Sequence, residues 1–84
     1  MMKHNKRLRS AILEVVQNQI ELNDPPETKA TLDRLISEGF SESKAKELIG
    51  SVVAAEVFEV LKNSREFDKE RFVIALKRLP EIPG

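Results

Sequence analysis

At 84 residues and 40% hydrophobic side chains, the chain is long enough for one small domain; a domain of that size buries roughly 60–65% of its extended surface. It contains no cysteine, which excludes a disulfide framework and a thiolate metal site and fits a reducing, cytoplasmic setting. Fourteen basic and fourteen acidic side chains cancel, so no net field draws the molecule to nucleic acid or anionic membrane, and no apolar run approaches a membrane span or a signal-peptide core.

The first four residues are expected to fray. From Asn5, the apolar positions Leu8, Ile12, Val15, Val16 and Ile20 recur at helical spacing and predict an amphipathic helix over about 5–22. Asn23, Asp24, Pro25 and Pro26 end it, because the residue before a proline is pushed out of the helical region. Pro26 can open the next helix, over about 26–38, since the first helical position needs no amide hydrogen. Glu27 then sits in the first turn, where negative charge favours the dipole. Gly39 is the expected C-terminal cap, and Phe40 after it should tuck inward.

Ser41 is placed to cap a long third helix over about 42–62. Its stretch LIGSVVAAEVFEVL is apolar nearly all round, with Ser51, Glu56, Glu59 and Lys62 as a polar seam. Such a helix is expected at the centre of the fold, with Val52, Val53, Val57 and Leu61 largely buried. Gly50 and Ala54, four apart, predict a close approach of another backbone, and together with Val53 and Val57 they form the candidate packing or partner surface. A loop from Asn63 leads to Asp68, a good N-cap for a last helix over about 69–79 that carries Phe72, Val73, Ala75, Leu76 and Leu79. The fold class is therefore all-α: four helices in one domain, with the third as the central element.

No catalytic constellation is legible. His4 is the lone histidine and falls in the fraying start. The six serines have no His or Lys tied to them by spacing, and the three glycines are isolated, so no phosphate cradle forms. Glu56 and Glu59 share a helix face, as in carboxylate-bridged metal sites. Those sites also need Glu-x-x-His motifs on other helices, and this chain has none. The seam is the preferred reading, and neither cofactor nor metal is expected.

The basic start, Lys3, His4, Lys6, Arg7 and Arg9, is the one marked charge asymmetry, and Lys3, Lys6, Arg7 and Arg9 are the candidate phosphate contacts of a nucleic-acid-binding alternative. No aromatic is interleaved for stacking on bases. A DNA-reading helix-turn-helix across 28–62 is excluded, because its recognition helix would be the most apolar element of the chain.

Two resemblances attach to these residues. The stretch LDRLISEGFSESKAKELI resembles the opening of a ubiquitin-associated domain, which implies a binding surface around Gly39 and Phe40. Here the helix after that turn is much longer than in the family. Over Asn5 to Pro80, the elements VVQNQIELNDPPET, LDRLISEGFSESKAKELIGSVVAAEVFEVLK and FDKERFVIALKRLP resemble a family of small uncharacterised bacterial all-helical proteins. Its members often carry histidines where this chain has Arg9, Leu13, Ser43 and Glu47. Arginine, leucine and serine cannot replace imidazole as ligands, so a metal role is not carried over. The reading reached from sequence is a non-enzymatic interaction or structural module, with an unknown protein partner or a second copy, homodimer and monomer both remaining open.

Overall fold

The structure, a computed structural model, describes residues 6–83, which form four helices: α1 (Lys6–Leu22), α2 (Pro26–Ser37), α3 (Glu42–Asn63) and α4 (Lys69–Arg78). No strand occurs among the described residues, and no helix there is long and apolar enough to cross a membrane. Lys3 and His4 lie outside the described residues.

The helix ends follow local chemistry. Ser41 accepts the Lys44 N–H at 3.0 Å and Asp68 accepts the Arg71 N–H at 3.1 Å, each satisfying one orphan amide of a first turn. Pro26 opens α2 behind Pro25, with Glu27 in the first turn. Three helices stop on a residue with left-handed backbone: Asn23 (φ 53°), Gly39 (φ 107°) and Ser64 (φ 51°). At Gly39, the Phe40 N–H reaches back to the Leu35 carbonyl at 3.1 Å and the Gly39 N–H to the Ile36 carbonyl at 3.0 Å. Asn23 and Asp24 make the same pair of bonds to Ile20 and Gln19 at 3.2 and 3.0 Å. This reverse turn satisfies the last carbonyls and redirects the chain within two residues. Only one of the three positions is a glycine, so the sequence announces only that one.

The α2 and α3 helices pack together as the tight Gly39–Ser41 turn requires. The first helix rests against both of them and α4 against both of them, while α1 and α4 do not touch. The core is built from Val16 of α1, Leu32 and Leu35 of α2, Ala45, Leu48, Ile49, Val52 and Val53 of α3, and Phe72, Leu76 and Leu79 at the α4 end. Ile12, Ile20, Phe40 and Ala75 pack against it, half-buried. Thr28 is fully buried among them and donates its hydroxyl to the Gln19 side chain at 2.8 Å, which ties α2 to α1.

Two expectations fail along α3. Val57 and Leu61, expected in the core with Val52 and Val53, are 48% and 76% exposed, and Phe58 is 60% exposed. The reason is length. At 1.5 Å per residue, α3 runs about 33 Å, α2 about 18 Å and α4 about 15 Å. The C-terminal turns of α3 outrun the helices that cover its beginning. The expected polar seam also fails, because Glu56 is buried at 7% exposure. At 100° per residue, it falls on the same face as Ile49, Val52 and Val53, in line with the core.

Candidate interaction surface

Gly50 is buried, and a Cβ built on it would stand 3.4 Å from Ile12 Cγ2 and 3.7 Å from Leu13 Cδ2. The first helix therefore crosses α3 at this point, but it meets the glycine with side chains and not with backbone, as the sequence had suggested. Beside the crossing lies a cleft of about 360 Å³, lined by Leu8, Ile12, Leu13, Gly50 and Ser51. Arg9 and Glu47 also border it and form an ion pair between α1 and α3. Arg9, Leu13 and Glu47, three of the four positions noted in the sequence for the resemblance to small bacterial helical proteins, thus come together here. Ser43, one turn earlier on α3, is exposed.

The ion pair accounts for an arginine near a helix N-terminus, where the dipole disfavours it: Arg9 answers to a carboxylate on another helix. Both side chains keep substantial solvent contact, so the pair contributes little to stability, about 0–1 kcal/mol. Of the candidate phosphate contacts, Lys6 and Arg7 are exposed, Arg9 is committed to Glu47, and Lys3 lies outside the described residues.

The candidate surface residues divide. Val53 is in the core, Gly50 is covered by α1, Ala54 is half-buried and Val57 is exposed. From Ala54, the positions Val57, Phe58 and Leu61 fall three, four and seven residues on, which is one face of a helix. The result is an apolar stripe facing water on the overhanging end of α3. Lys62 lies over the Phe58 ring, with Nζ 5.6 Å from its centroid, and screens one side of it. The ring also borders a groove of about 410 Å³ between α3 and α4, lined by Val52, Ala55, Ala75 and Pro83.

In the wall of that same groove, together with Arg71, Glu56 forms a polar centre that sequence reasoning missed. Arg71 donates from Nε to Oε1 at 3.1 Å and from Nη2 to Oε2 at 2.8 Å, and the Asp68 N–H donates to Oε2 at 3.2 Å. These donors hold the Glu56 carboxyl below its ordinary value of 4.5: the Arg71 hydrogen bonds act most strongly, burial opposes them, and the Asp68 amide adds to them. The same pairing raises the Arg71 guanidinium. The available signal was a glutamate at i+7 from Ile49, within a run otherwise apolar at i+3 and i+4. The centre fastens the start of α4 to α3, with Arg71 placing Nε and Nη2 on one carboxylate.

Among the described residues, no three His, Cys, Asp or Glu side chains gather as a metal-binding group. No protein-family model matches the chain, and neither a curated protein nor a solved structure matches it.

Proposed function

We propose that this protein is a non-enzymatic helical interaction module whose contact face is the overhanging end of α3. The observation that carries the reading is the exposed line of Val57, Phe58 and Leu61 on a helix whose preceding turns build the core. Three large apolar side chains left in water on one ordered face form a surface that gains free energy when covered. An aromatic with neighbouring aliphatics is also the composition of an interface centre. The lack of cysteine and the resemblance to small bacterial helical proteins support a bacterial cytoplasmic setting.

Site-specific photo-cross-linking in expressing cells tests this. A benzophenone side chain at position 58 is expected to give discrete adducts, and the same probe at the exposed Lys77 on α4 is expected to give none. Equal labelling from both positions, or none from 58, rejects the stripe as a contact face.

A further inference from the structure

Glu47, Ser51, Ala54, Phe58 and Leu61 follow one another at alternating spacings of four and three residues, the repeat that keeps a single seam facing a partner helix. The seam is uneven in a specific way. Its first half is small or recessed: Ser51 lines the cleft beside Gly50, and Ala54 is half-buried. Its second half protrudes, with Phe58 60% and Leu61 76% exposed. Its first position, Glu47, is held by Arg9 of α1, and α3 ends at Asn63 before the repeat returns.

We propose that the occupant of this face is a second copy of the chain, docked by two-fold symmetry with the two α3 helices antiparallel. The inference rests on reading the α3 end as a contact face, and it adds the partner and the register. In the pairing that sets Ala54 against Phe58 of the second copy, Ser51 meets its Leu61. Every small position then faces a large one. Leu61 of each copy enters the other's cleft between α1 and α3, whose Leu8, Ile12 and Leu13 walls and 360 Å³ suit an aliphatic side chain. Knob and hole lie ten residues apart on the same helix, about 15 Å along its axis, so a two-fold axis between them fills both holes at once. A parallel arrangement sets Phe58 on Phe58 and Glu47 on Glu47 and leaves both clefts empty. A shift of one heptad places Phe58 against Leu61, large on large. The chain is thus complementary to itself in size in one register only.

The chain has no cysteine, so engineered thiols report this register without background. An equimolar mixture of Ser51→Cys and Leu61→Cys chains is expected to form a mixed disulfide dimer under mild oxidation, while neither variant alone does so. Like positions lie too far apart across the axis for a bond that needs Cα atoms within about 7 Å. Sedimentation equilibrium of the unmodified protein is expected to show a mass rising with concentration from 9.5 kDa toward twice that value. Leu61→Asp is expected to raise the dissociation constant by more than about tenfold at unchanged helicity. A single 9.5 kDa species up to millimolar protein, or a disulfide formed by either cysteine variant alone, overturns the proposal. A monomer that still gives adducts with other proteins at position 58 removes the second copy and leaves the interaction reading. No adduct of any mass removes that reading itself.

Discussion

Arg71 closes two guanidinium nitrogens on the Glu56 carboxylate, at 3.1 and 2.8 Å, from one turn inside α4 to the middle of α3. The pair joins α3 to α4 beside the Asp68 N–H, which donates to the same carboxylate, so polar contacts as well as packing fix how the two helices meet. It also makes the joint sensitive to acid.

Because the folded Glu56 carboxyl lies below its ordinary value of 4.5, the folded state binds its proton less readily than the unfolded state does. Its contribution is therefore complete above the unfolded value and is lost as pH falls through the folded one. Urea midpoints measured from pH 7 downward should hold near neutrality and fall below about pH 4.5. Glu56→Gln should be less stable at pH 7 and should lose less on acidification, so the two curves converge. Parallel curves would show that Glu56 does not carry this term.

Two leucines separate the core from the overhang. Leu35 is fully buried on α2 and Leu61 faces solvent on α3. Leu35→Ala should cost about 2–5 kcal/mol, from lost transfer energy and a residual cavity. Leu61→Ala should stay within about 0.5 kcal/mol in dilute monomer. Chemical denaturation of both variants at low micromolar concentration checks the contrast. A large loss for Leu61→Ala would mean that α3 is covered to its end.

At Gly50, the sign of the effect depends on size. One methyl group meets Ile12 Cγ2 at ordinary contact distance, so Gly50→Ala should stabilise by up to about 1 kcal/mol through reduced backbone freedom in the unfolded chain. Gly50→Leu drives three further carbons toward Ile12 and Leu13 and should cost about 1–3 kcal/mol. Melting temperatures of the two variants should therefore move in opposite directions. A rise for both would place α1 farther from α3 than the structure does.

Ser64 ends α3 with φ 51°, a conformation in which a side chain costs about 1–2 kcal/mol and glycine almost nothing. Ser64→Gly should raise stability by roughly 0.5–1 kcal/mol, since glycine's extra unfolded entropy offsets part of the relief. The usual penalty for glycine in ordered structure reverses here. A lower denaturation midpoint for the variant would show that the serine is unstrained at this cap.

Local chemistry wrote the helices into the sequence. The double proline, the Ser41 and Asp68 caps and Gly39 each act within a few residues, so their consequences are legible without knowing what lies across the core. The same holds for the apolar spacing that placed Ile49, Val52 and Val53 inside. What tertiary structure decided is how far each helix is covered. Val57, Phe58 and Leu61 read as apolar as Val52 and Val53, and only the relative lengths and placement of α1, α2 and α4 leave them in water. Glu56 shows the reverse case. Its partner lies fifteen residues away on another helix, and no local period records that Arg71 will meet it. The cleft beside Gly50 is likewise a property of two helices and not of either alone. Propensity and capping are nearest-neighbour effects that a chain carries in its order, whereas burial is a relation between surfaces that exists only once the helices have packed.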